Sequence, residues 1–135
     1  MIVSVKKLVK LSIPTLPYEH IAQHILNGEY ELSIVFVGSQ RMRTLNRTYR
    51  NKDADTNVLA FPLTDTSGEI VINPSRTKGF SVLHLLIHGM LHLKGHRHGS
   101  TMEKSEQELL KIFSHDKTHR DRYRRGDAHS AGPCC

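Results

Sequence analysis

The chain has no tryptophan, only 6% aromatic residues and two cysteines, Cys134 and Cys135, which stand side by side. Adjacent cysteines at one extremity cannot staple distant segments together, so the fold must stand without disulfides. No stretch approaches the roughly 20 apolar residues of a membrane-spanning helix. A secretory leader is not expected either: the apolar run in Met1-Ile-Val-Ser-Val5 is too short, and no small-residue cleavage site follows. The expected location is the cytoplasm. Internal repeats and low-complexity blocks are lacking as well, which rules out a repeat array.

What the chain does have is 135 residues, 38% of them hydrophobic and 24% charged, with a formal net charge of +6 and a sequence pI of about 9.6. That length suits one domain with a real core. The basic balance suits a polyanionic partner such as RNA.

Strand and helix patterns alternate along the chain. The alternation of Met1–Val5 reads as a strand, and Pro14 and Pro17 lead into a helix over Tyr18–Leu26, with Ile21, Ile25 and Leu26 as its apolar stripe and Gly28 ending it. His20 and His24 lie four apart on that helix but have no third ligand nearby, which makes them an exposed face. Tyr30–Val37 reads as a strand entering the interior. Ser39 is expected to cap a helix over Gln40–Tyr49 with Met42, Leu45 and Tyr49 inward. Asn57–Phe61 reads as a strand ended by Pro62, followed by a turn over Asp65–Gly68 and a neighbouring strand over Glu69–Ile72. Gly79–Lys94 is apolar nearly all round and should form a buried helix. Ser100-Thr-Met-Glu103 fits a capping box for a last helix over Thr101–Phe113, with Met102, Leu109, Ile112 and Phe113 buried. The fold class is therefore α+β, or layered α/β: one domain over residues 1–114. Residues 115–135 hold five Lys or Arg, three Asp and almost no apolar side chains, and read as a flexible basic tail.

The buried helix carries the chemistry. His88 and His92 are four residues apart, so on a helix their imidazoles face the same way and can reach one metal ion. A continuous helix would carry His98 about 15 Å beyond His88. Gly95 removes that obstacle, because glycine just past a helix end adopts the left-handed conformation and lets the chain fold back. Three neutral histidines leave a fourth tetrahedral position for water, the arrangement of catalytic rather than structural zinc, and the expected chemistry is hydrolysis. Zinc peptidases of the His-Glu-x-x-His type place a glutamate beside the first histidine as general base. Gly89 stands there instead, so peptide hydrolysis by that route is disfavoured. His84, one turn before His88, reads either as a further metal neighbour or as a satisfied core histidine.

The array His88-Gly-Met-Leu-His92-Leu-Lys-Gly95-x-x-His98 resembles the signature of the YbeY family of bacterial metal-dependent endoribonucleases, which act in ribosomal RNA maturation and ribosome quality control. A second block, Leu45-Asn46-Arg-Thr-Tyr49-Arg50-Asn-Lys52-Asp53-Ala-Asp-Thr56-Asn57-Val58-Leu59-Ala60-Phe61-Pro62, is similar to that family's other motif, and Gly68-Glu69-Ile70-Val71-Ile72 to the strand after it. The resemblance implies a small mixed sheet of about four strands with helices packed on it and the metal helix lining a cleft. It implies one Zn²⁺ per chain on His88, His92 and His98, with ribosomal RNA as substrate and the small ribosomal subunit as a partner. Arg50 matches the family's functional arginine; by residue type alone it is a cation at a helix C-terminus. Lys52 assists at the RNA backbone or is a solvated lysine, and Asn57 orients the site or closes a turn.

Three departures stand out. His96-Arg97 replaces the family's Tyr-Asp pair, making His96 a rival ligand to His98; Ala60 replaces a common serine; and the connection from Ile72 to the metal helix is short. The competing functions are a non-catalytic ribosome-assembly factor with structural zinc, and a metallohydrolase of a smaller phosphoester or amide.

Overall fold

A computed structural model describes residues 1–114. The tail over 115–135, with both cysteines, lies outside the described residues. Four strands and four helices follow in the order β1 (Ile2–Lys7), α1 (Tyr18–Leu26), β2 (Glu31–Phe36), α2 (Ser39–Arg50), β3 (Val58–Thr64), β4 (Ser67–Ile72), α3 (Val82–Leu93) and α4 (Ser100–Phe113). The sheet order is β1-β2-β4-β3, with β1, β2 and β4 parallel and β3 antiparallel to β4. This is the mixed four-stranded sheet expected.

Alternation along β2 divides the core. Leu32, Ile34 and Phe36 point into a large cluster shared with α1, α3 and α4, while Val35 points to the opposite face. There Met42 and Leu45 of α2 pack with Val37, Leu59, Phe61 and Val71. The sheet thus separates α2 from the other three helices. Burying a large aliphatic side chain stabilises a fold by about 1.5–3 kcal/mol, so the larger cluster carries most of the stabilisation.

Helix α3 approaches the sheet closely. A Cβ added at Gly89 would come within 2.9 Å of Ile70 Cγ2, and one at Gly68 within 2.8 Å of Leu93 Cδ2 and 2.6 Å of the Tyr30 hydroxyl. Both glycines are there for space. The glutamate that a His-Glu-x-x-His helix carries has no room at position 89.

Several local expectations need correction. Strand β3 runs through Pro62 to Thr64, because β3 is an edge strand and its pairing shifts between Pro62 and Thr64, where a missing N–H is tolerated. Ser39 is the first residue of α2 rather than its cap; Gly38 takes that place, and the Ser39 hydroxyl accepts from Asn73 Nδ2 at 3.0 Å. The capping box at Ser100 does not form: α4 begins at Ser100 after Gly99, with no side-chain cap bond. Helix α3 begins at Val82 rather than Gly79, and Ser81 caps it by accepting from the His84 backbone N–H at 3.0 Å. Tyr49 is 66% exposed, lying edge-on to Phe61, and Ile112 is 45% exposed. His20 and His24 are exposed, as expected, with their rings edge-on to Phe113.

Candidate metal centre

The C-terminal end of α3 determines the site. The Gly95 N–H bonds the His92 carbonyl and the His96 N–H bonds the Leu91 carbonyl, each at 3.0 Å, with Gly95 at φ +103°. This pair of bonds is a Schellman motif, which closes the helix end and reverses the chain. The reversal returns His98 to the face that carries His88 and His92. Ring centroids lie 4.6 Å apart for His88 and His92, 4.6 Å for His92 and His98, and 5.1 Å for His88 and His98. One nitrogen from each ring lies within 4.8 Å of the other two. His96 is not in this cluster. Its backbone has a different task, accepting a hydrogen bond from the His92 ring.

The donor set fits a metal ion. His88 Nδ1 lies 2.5 Å from Glu106 Oε2, which leaves its Nε2 turned toward His92 Nε2 at 3.1 Å. With its Nδ1 committed to the carboxylate, His88 presents the Nε2 lone pair toward His92 Nε2. A shared cation relieves that contact, and ligand atoms of one tetrahedral zinc sit about 3.3 Å apart when each bond is about 2.0–2.1 Å. Protonation is resisted. Burial, then the neighbouring His88 and His98, hold His92 down to about 4. Burial also lowers His88, against the pull of Glu106. Neutral imidazoles are the form that binds metal. Exposure rises from buried His88 through half-buried His92 to exposed His98, so the cluster opens at the surface.

Sequence reasoning missed Glu106. It lies on α4, 5% exposed, with Oε1 2.7 Å from His84 Nε2 and Oε2 on His88. Burial pushes its pKa up, but the bonds to His84 and His88 outweigh that and hold it at about 2. The signal was present: Met102, Glu106 and Leu110, four apart, form the buried stripe of α4, and His84, His88 and His92 form a matching row on α3. A glutamate on a helix is usually solvated, and this one is concealed by falling inside an apolar stripe. His84 is accordingly a core histidine held through Nε2 by Glu106, with Phe80 edge-on to its ring at 5.0 Å.

The second motif is built differently. Arg50, half-buried, ends α2 on the opposite side of the sheet from α3. Asn51 follows in the left-handed conformation at φ 57°. Asn46 Nδ2 then donates to the Ala54 carbonyl at 2.8 Å, Arg43 pairs with both oxygens of Asp53 at 2.9 and 3.1 Å, and Arg76 lies 3.6 Å from Asp55. Asn57, fully buried, donates to the Thr77 carbonyl at 3.2 Å. Lys52 is exposed. The block fastens a loop, with Arg50 at its root. Strand β3, with which this block ends, touches α2 through Leu59 and Phe61 and packs against α3 on its other face.

The comparisons agree with the geometry. A family described as Endoribonuclease YbeY matches residues 4–116. The chain is 35% identical over 102 residues to the Neorickettsia sennetsu protein of that name, covering 60% of this chain and 71% of the relative. It is 34% identical over 116 residues to the Chromohalobacter salexigens protein of the same name, covering 70% and 75%. With the Rubrobacter xylanophilus relative it shares 42% over 80 residues, covering 56% and 58%. A Thermotoga maritima protein determined in solution superposes with a TM-score of 0.60 over 96% of this chain and 99% of that one, at 20% identity, which bears on the fold alone. No described helix is long and apolar enough to cross a membrane. A histidine cluster closed by a glycine turn, the mixed sheet beneath it and a match over most of its length place this chain in the YbeY endoribonuclease family.

Proposed function

We propose that the protein is a zinc-dependent endoribonuclease that cleaves phosphodiester bonds in ribosomal RNA during rRNA maturation and ribosome quality control, acting in the cytoplasm and at the small ribosomal subunit. The observation that carries the reading is the convergence of His88, His92 and His98 at a surface opening. A polymer can reach such an opening without entering an enclosed cavity. Net charge of +6 supports an RNA partner.

His88, His92 and His98 would hold the ion, which when bound supplies Lewis-acid polarisation of phosphate and lowers the pKa of water toward about 7. Arg50 binds two phosphate oxygens through its guanidinium fork and offsets the charge that builds in the phosphorane. What supports this role is the resemblance of the 45–62 block to the family's motif and the absence of a carboxylate partner for Arg50 among the described residues. Gly89 leaves no glutamate at the position that supplies the base in His-Glu-x-x-His enzymes, and the nucleophile is either a water or the RNA's own 2′-hydroxyl.

Cleavage of structured rRNA by the zinc-loaded full chain tests the proposal. Wild type should cleave, and His92→Ala should bind RNA but leave it intact. If both bind RNA and neither cleaves it, the protein is a binding factor and the enzymatic reading is wrong.

A further inference from the structure

We infer that Glu106 is a positioning residue for the metal centre: by accepting from His88 Nδ1 on one oxygen and from His84 Nε2 on the other, it fixes the tautomer and tilt that turn His88 Nε2 toward the ion. The inference rests on reading the three imidazoles as a metal site.

Of the three imidazoles in that site, His88 alone is fully buried, and its ring cannot exchange partners with water. Its two nitrogens therefore have fixed tasks. Nδ1 lies 2.5 Å from Glu106 Oε2, and an ionised carboxylate only accepts, so Nδ1 carries the hydrogen and Nε2 the lone pair. The opposite tautomer would set a nitrogen lone pair against a carboxylate oxygen and place a hydrogen where the ion binds.

Glu106 is itself immobilised. Its other oxygen takes the His84 N–H at 2.7 Å, and Met102 and Leu110 flank it in the apolar seam between α3 and α4. His84 lies one turn from His88 on the same helix, so the carboxylate bridges two rungs of a single face. Position 89 has no space for an acidic residue, and the carboxylate reaches the metal helix from the neighbouring helix instead. It approaches the histidine from behind. It orients the ligand and does not touch the substrate. Partners of this kind typically alter metal affinity by about 10- to 100-fold when removed.

The test uses the full chain. In the zinc-free wild type, ¹⁵N NMR of the imidazoles should show His88 protonated at Nδ1 and not at Nε2. Chelator competition should show Glu106→Gln binding Zn²⁺ about 10- to 100-fold more weakly than wild type, with circular dichroism reporting the fold. His84→Gln, whose amide still donates to Oε1, should retain most of the affinity. A wild-type His88 protonated at Nε2 overturns the inference, and so does a folded Glu106→Gln that binds zinc as tightly as wild type. Should Glu106→Gln not fold, the wild-type tautomer alone decides. A wild type that binds no zinc overturns the metal reading as well, an outcome distinct from equal binding by wild type and variant.

Discussion

The two motifs use their polar residues in opposite ways. In the 88–98 array the side chains converge on a point and the backbone turn at Gly95 exists to bring them there. In the 45–62 block, Asn46, Asp53, Asp55 and Asn57 are bonded to the loop and its neighbours, while Arg50 pairs with no carboxylate among the described residues. One motif gathers its side chains into a cluster that could hold a metal ion; the other is a mounting that leaves Arg50 at its root. Residues that recur in a motif need not all touch the chemistry, and the mounting is recognised by where its hydrogen bonds close.

The sharpest way to break this comparison is to separate binding from cleavage. Arg50→Ala should lower cleavage about 10²- to 10³-fold, the usual loss when one group stabilising transition-state charge is removed, while leaving zinc affinity unchanged. Asn46→Ala, which deprives the Ala54 carbonyl of its donor, should act in the same direction but more weakly, with a stability loss of about 1 kcal/mol. Titration with a zinc chelator beside a cleavage assay checks both. Loss of zinc binding in either variant would mean that the blocks are not separate.

Within the array, Gly89 and Gly95 are different kinds of glycine. Gly89→Ala forces a Cβ to within 2.9 Å of Ile70 and should cost about 1–3 kcal/mol by overpacking, read as a lowered Tm. At Gly95 nothing lies within 4 Å, so Gly95→Ala is strained only by its backbone at φ +103°, about 1–2 kcal/mol. The second variant should lose zinc affinity in greater proportion than stability, because the turn it strains is the one that returns His98. Equal ratios would argue that the turn is passive.

Acid should have the mildest effect, and its sign is fixed. His92 is held at about 4 against an ordinary 6.5, and Glu106 at about 2 against 4.5. Both bind fewer protons folded than unfolded, so their contribution is intact above about 6.5. It then declines as pH falls through 4 and on toward 2. The Tm of zinc-free protein followed from neutral pH to 4 should fall; a flat profile would place these groups in water.

Much of the fold was legible because apolar periodicity tracks burial: all four helices and the pairing of β3 with β4 follow from it. What it misplaced were ends and edges. Pro62 stops a central strand but not an edge strand, and Ser39 and Ser100 have capping chemistry that the chain's path does not use. The convergence of His88, His92 and His98 was legible because helix geometry and one glycine leave few ways to arrange them. Glu106 was not, since its partners lie 18 and 22 residues away on another helix, and the stripe it shares with Met102 and Leu110 does not say which groups it meets.

A crystal of the full chain grown with zinc, measured across the zinc absorption edge, tests the central claim most directly. One anomalous peak per chain is expected, about 2.0–2.1 Å from a nitrogen of His88, His92 and His98. A peak elsewhere, or a ring of His98 turned away from the ion, would contradict the account.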